Sequence, residues 1–174
     1  INDHVHVEDL EKLIHEDSKK HPFFYKGKFF LANNRLIEEL HLNIYSNILN
    51  KYLNKSTSLV ELGAGFGSKI LSLSKKKNIK AKNYVAAELT KTGRDLIKLS
   101  GKFLKDKLKV GFCDFRSMQI DSSLVSPNSI VFTSYSLHYV PEYDHKIIDY
   151  FIRLKPKAVI HFEPLYEEYC NNNT

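Results

Sequence analysis

The sequence predicts a doubly wound α/β fold, a mostly parallel sheet with helices on both faces, and three observations support it. Five short apolar runs recur, at Ser58–Leu62, Tyr84–Ala87, Leu108–Phe112, Ser129–Thr133 and Ala158–Phe162. Segments of helical length and period separate most of them. A glycine cluster, Gly63-Ala64-Gly65-Phe66-Gly67, follows the first run directly. Strands joined through helix-length connections imply parallel βαβ units, and right-handed crossovers then place helices on both faces of the sheet.

The elements can be justified in chain order. Val7, Leu10, Leu13 and Ile14 make an amphipathic helix of residues Val5 to Glu16, which His21-Pro22 ends. The aromatic stretch Phe23 to Phe30 contains Gly27 and suggests a turn or a lid. From Arg35 to Tyr52, Leu36, Leu40, Ile44, Ile48 and Leu49 recur at helical spacing. Residues 1–54 are therefore expected as an N-terminal helical cap, and residues 55–174 as the core of a single domain. Lys69–Lys75, a segment through Leu96 and Leu99, and Tyr143–Leu154 supply the core helices.

A chain of 174 residues suits one globular domain, and 43% apolar with 26% charged residues is a globular balance. It contains no run of about 18 apolar residues, so no membrane partner is expected. There is no charged-then-apolar leader, and a start at Ile1 implies missing N-terminal sequence. Cys113 and Cys170 are too few for a disulfide scaffold, so a reducing cytoplasm fits best. Of the 26 basic residues behind the net charge of +6, four are arginine. Nucleic-acid readers lean on arginine forks. The lysine excess, with abundant asparagine and isoleucine, reads as a composition bias, and nucleic acid ranks below a small-molecule partner.

The strongest signal is Glu61-Leu62-Gly63-Ala64-Gly65-Phe66-Gly67. Alternate glycines after a buried strand let the backbone turn tightly and approach a ligand, and the following helix offers free N–H groups. The dinucleotide fingerprint needs its third glycine one position later. A carboxylate at Glu61 would also repel a pyrophosphate and attract an ammonium group.

Here the sequence resembles the class I S-adenosylmethionine-dependent methyltransferases, with a Rossmann-like sheet. Glu61, Gly63, Gly65 and Gly67 match their first motif, an acid followed by G-x-G-x-G. The resemblance implies S-adenosyl-L-methionine as cofactor. Glu88, ending Tyr84-Val85-Ala86-Ala87-Glu88, falls at the family's ribose-gripping acid. Asp114, in Gly111-Phe112-Cys113-Asp114-Phe115, falls at its adenine-amino contact, and Phe115 either flanks the adenine or belongs to the core. Ser134 falls in the loop after the fourth strand, where the family meets cofactor and substrate. The likeness covers about Leu59 to Pro164 and one helix before it. Family members add two closing strands, so the C-terminal strands of the fold are expected to be missing from this chain.

For the acceptor side, the loop Thr133-Ser134-Tyr135-Ser136-Leu137-His138-Tyr139 combines hydroxyls with a histidine. An N-P-P-Y type motif is absent, which weakens amide or exocyclic-amine methylation. An oxygen acceptor must lose its proton, and histidine suits that near neutral pH. His138 is the candidate base, with Tyr135, His161 and Glu163 as candidate substrate contacts. Strand alternation puts His161 and Glu163 on one face, where with His138 they form a polar cluster or, less favoured, a metal set. No metal is expected.

The expected function is methyl transfer to a hydroxyl of a small polar metabolite or saccharide. The alternatives are an RNA-modifying methyltransferase of the same fold and a non-catalytic cofactor-binding scaffold.

Overall fold

A rung of four valines crosses the central sheet. Val85, Val60, Val131 and Val159 are register partners on neighbouring strands. They belong to a computed structural model that describes residues 19–25, 27–140 and 146–164. The described residues fall into two compact units, one ending at Tyr45 and the other beginning at Ser46.

In the first unit, β1 (His21–Tyr25) and β2 (Lys28–Ala32) pair antiparallel around a turn at Gly27. The rings of Phe23 and Phe30, direct cross-strand partners, stack at 5.4 Å. The aromatic segment therefore turns at Gly27, and what flanks the turn is a pair of strands. Helix α1 (Asn34–Asn50) begins in this unit and ends in the second. Asn33 caps it, its side-chain oxygen accepting the Leu36 N–H at 2.9 Å. The helix expected over Val5 to Glu16 lies outside the described residues, as do Tyr143 to His145 of the helix expected before the last strand.

The second unit holds the sheet. Its strands are β3 (Ser58–Leu62), β4 (Tyr84–Ala87), β5 (Leu108–Gly111), β8 (Ser129–Ser134) and β9 (Ala158–Phe162). They lie in the order β5-β4-β3-β8-β9, all parallel. The intervening β6 (Cys113–Asp114) and β7 (Gln119–Ile120) form a separate antiparallel pair. β3, β4 and β8 are almost wholly buried, as strands covered on both faces must be.

Helices α2 (Ser68–Ser74) and α3 (Lys91–Ser100) bury Ile70, Leu71, Leu73 and Ile97. Leu59, Ile130 and Phe132, fully buried, alternate with the valines and face the other way. Helix α4 (Lys146–Leu154) packs Ile147, Phe151 and Leu154 against the valine side. The doubly wound reading holds, with strand and helix ends within about two residues of expectation. Among the described residues no helix is long and apolar enough to cross a membrane.

Candidate functional site

The winding of the sheet reverses between β3 and β8, and open α/β sheets form their crevice at the carboxyl ends of such a pair. A cavity of about 420 Å³ opens there. Four connections line it: Gly63 and Gly65 after β3, Glu88 and Leu89 after β4, residues 113–116, and Tyr135, Ser136, Tyr139 and Val140 after β8.

The glycines do different work. Gly63 has φ +71°, and a Cβ there would lie 2.6 Å from Ser136 Cβ and 3.0 Å from Phe115 Cε2. It lets three connections meet. Gly65, at φ +56°, has open space where a Cβ would be, leaving its backbone accessible from the cavity. Gly67 does not line the cavity. A Cβ there would sit 2.9 Å from Ile97 Cγ1, so it serves the contact between α2 and α3.

Glu61 also stands outside the cavity lining. It is buried, and its Oε2 accepts the Ile70 N–H at 2.9 Å in the first turn of α2. Burial pushes its pKa up to about 8, against the opposing pull of that hydrogen bond and of Lys69. The carboxyl braces the strand–helix junction, and being largely protonated at neutral pH it has little charge to offer an ammonium group.

Glu88 reaches back from β4 to the glycine loop. Its Oε2 accepts the Gly65 N–H at 3.0 Å, and its Oε1 accepts the Thr90 N–H and hydroxyl, both at 2.9 Å. Thr90 in turn caps α3 by accepting the Gly93 N–H. Asp114 Oδ1 accepts the Arg116 N–H at 2.9 Å and Oδ2 the Ser117 hydroxyl at 2.7 Å. These bonds, the Ser117 one foremost, hold its carboxyl below the usual range. Asp114 braces a turn, not a helix N-terminus. Phe115 is buried in the valine-side core and also lines the cavity. Cys113 also lines the cavity, and burial pushes its thiol up to about 12, which favours the protonated form.

After β8 the backbone enters the left-handed region at Tyr135 (φ +51°), an uncommon conformation for a bulky residue. The Tyr135 N–H donates to Phe162 O at 3.1 Å. Glu163 holds the next turn: its Oε2 accepts the Ser136 N–H at 3.0 Å and faces His138 Nδ1 at 3.3 Å. Burial alone would raise the Glu163 pKa. Hydrogen bonds from Ser136 N–H, the Thr133 hydroxyl, His138 and Leu137 N–H together hold it below the usual range. His161 pairs with Thr133, Nδ1 to Oγ1 at 2.9 Å, and burial lowers its pKa.

The structure thus brings Gly63, Gly65, Glu88, Asp114, Phe115 and Tyr135 to one cavity. Ser134, His138, His161 and Glu163 stand outside its lining. The His138 ring contacts both Tyr135 (6.0 Å) and Tyr139 (3.9 Å), which do line it. Sequence reasoning passed over Leu89, Arg116, Ser136, Tyr139 and Val140. Each lies within two residues of an assigned position, and that proximity was the available signal. Among the described residues no group of three or more His, Cys, Asp or Glu side chains is arranged to hold a metal ion.

No protein-family model matches the chain, and no curated protein does. Solved structures do. A protein described as an S-adenosyl-L-methionine-dependent methyltransferase from Methanococcus maripaludis superposes with TM-score 0.53 at 15% identity, covering 79% of this chain and 66% of that one. A protein described as a sarcosine dimethylglycine methyltransferase from Galdieria sulphuraria gives TM-score 0.52 at 14% identity, covering 70% of this chain and 43% of that one. The chain spans less than two thirds of the length of either. The strand order, the glycine loop at the switch point and these superpositions together show the class I S-adenosylmethionine-dependent methyltransferase fold.

Proposed function

We propose that the protein transfers the methyl group of S-adenosyl-L-methionine to a hydroxyl of a small polar metabolite or saccharide. One observation carries the proposal: the accessible Gly65 backbone and the carboxylates of Glu88 and Asp114 converge on one cavity at the switch point. The cofactor fits this donor set. Glu88 Oε2 keeps a second acceptor position for a ribose hydroxyl. Asp114, held ionised, suits an adenine amino group, and Phe115 offers an apolar wall. When bound, the cofactor supplies a methyl group already activated on a sulfonium.

The chain's own residues then position the acceptor and take its proton. Glu163, held ionised, can only accept hydrogen bonds, so His138 Nδ1 carries the hydrogen between them. That leaves Nε2 of His138 to take the proton. Glu163 also stabilises the imidazolium that forms. Tyr135 and Tyr139 wall the acceptor side and help exclude water.

The test is methylation of a panel of monosaccharides, polyols and hydroxy acids with radiolabelled cofactor. The reading expects label on an acceptor oxygen. Label on nitrogen would overturn the oxygen-specific part.

A further inference from the structure

Basic charge is not spread evenly along this chain. Between Lys75 and Lys109, a fifth of the sequence, lie twelve of the 26 basic residues and three acidic ones, Glu88, Asp95 and Asp106. That segment carries +9 while the whole chain carries +6, so everything else is net acidic. A composition bias acting on the whole gene would not concentrate the excess in this way. Of the three acids, Glu88 is bound to the glycine loop and Asp95 is paired with Lys91 at 2.7 Å.

The fold gathers much of this charge at the amino ends of the strands. Lys55, Lys80, Lys82 and Lys107 line a cleft of about 520 Å³. The turn Lys102–Lys107 separates it from a second cleft, of about 350 Å³, bordered by Lys98, Lys102 and Lys105. On the other side Lys82 is shared with a third, of about 220 Å³, which adds Lys109 and the hydroxyl and amide groups of Ser56, Ser126 and Asn128. The first two clefts open on the face to which Tyr84 and Leu108 point and the third on the face of Val85 and Lys109, and Lys82 joins the faces across the amino-end rim of the sheet.

We infer that this lysine-lined trough is a docking surface for single-stranded RNA. A linear polyanion can lay successive phosphates into successive concave sites, whereas an anionic membrane, being flat, reaches only convex ground. Lysine is a point charge that binds phosphate without reading sequence. Phe103, 49% exposed on the turn and with Lys75 Nζ 5.0 Å from its ring centroid, offers a stacking platform for an unpaired base. In the third cleft the Ser56 and Ser126 hydroxyl oxygens, bonded to Asn54 and Ser129, keep lone pairs that can accept from a 2′-hydroxyl. Lysines on an edge strand also discourage edge-to-edge aggregation. That accounts for Lys109 on β5, but not for Lys55, Lys80 and Lys82, which lie off that strand. In a parallel sheet the trough lies about a strand's length, roughly 17 Å, from the cavity at the carboxyl ends. RNA bound there is anchored, not methylated, so the inference is independent of the acceptor proposed above.

The experiment is fluorescence anisotropy of a labelled mixed-sequence 20-nucleotide RNA titrated with the full chain. With about four phosphates neutralised, affinity should fall about 50-fold between 50 and 200 mM KCl. Replacing Lys80, Lys82 and Lys107 together by glutamine should weaken binding at least tenfold and flatten the salt dependence, while arginine at the same positions should preserve both. Phe103→Ala, a change at an exposed side chain, should weaken binding several-fold and keeps the test available if the triple glutamine variant does not fold. Absence of binding at 50 mM KCl, unchanged binding in the folded glutamine variant, equal affinity for DNA of the same sequence, or preferential binding to phosphatidylserine vesicles would each overturn the inference.

Discussion

Glu88 Oε2 accepts the Gly65 N–H at 3.0 Å, tying the acid that ends β4 to the glycine loop that follows β3. The two residues are 23 positions apart, yet the bond fixes the carboxylate beside a glycine whose Cβ position is open space at the cavity. A ligand meets them as one preformed surface.

The glycines should therefore separate stability from binding. Gly63→Ala puts a Cβ at φ +71° against Ser136 and Phe115 and should cost about 2–4 kcal/mol of stability. Gly65→Ala meets no neighbour within 4 Å and should cost only about 1–2 kcal/mol for its left-handed backbone. It should nonetheless remove most cofactor binding. Denaturant unfolding and calorimetric titration of both variants check this; equal stability losses would contradict the packing account.

Glu61 gives a pH prediction. Its folded pKa of about 8 lies above the unfolded value, so the folded state holds a proton that the unfolded state releases as pH rises. Stability should fall from about pH 5 to pH 8, by up to about 1.4 kcal/mol per pH unit. Glu61→Gln can still accept the Ile70 N–H and carries no charge to desolvate. It should abolish the slope, as read from unfolding midpoints across that range.

The parts of this molecule written in local pattern could be read from sequence. β3, β4 and β8 are mostly apolar because both their faces are buried, and G-x-G-x-G announces the crevice. β1 and β2 were not legible, since successive aromatics blur a period of two. β6 and β7 are too short to have a period. Glu61 shares a face with buried Leu59 two residues before it and turns to the Ile70 N–H of α2, outside the cavity lining, a bond that the spacing of acid and glycines does not disclose. The bonds from Ser136 and His138 to Glu163 join residues 27 and 25 positions apart, and no local pattern encodes them. The lysine trough was hidden because totals conceal where charge lies.

The His138–Glu163 pair predicts a division between chemistry and binding. His138→Ala should lower turnover about 10²–10⁴-fold, the usual contribution of a general base, and leave cofactor affinity unchanged. Glu163→Gln should lower it less, because the Ser136 turn keeps an acceptor while the imidazolium loses its counter-charge. Near-parent turnover in His138→Ala would make the histidine structural.

The central claim is that the cavity holds an adenosyl amino acid, and calorimetric titration of S-adenosylhomocysteine tests it most directly. The account predicts one site per chain, no competing site for NAD, and a loss of about 1.5–3 kcal/mol on Glu88→Ala, the range for hydrogen bonds to a charged group. Binding of NAD with no heat from S-adenosylhomocysteine, or unchanged S-adenosylhomocysteine affinity in folded Glu88→Ala, would contradict it.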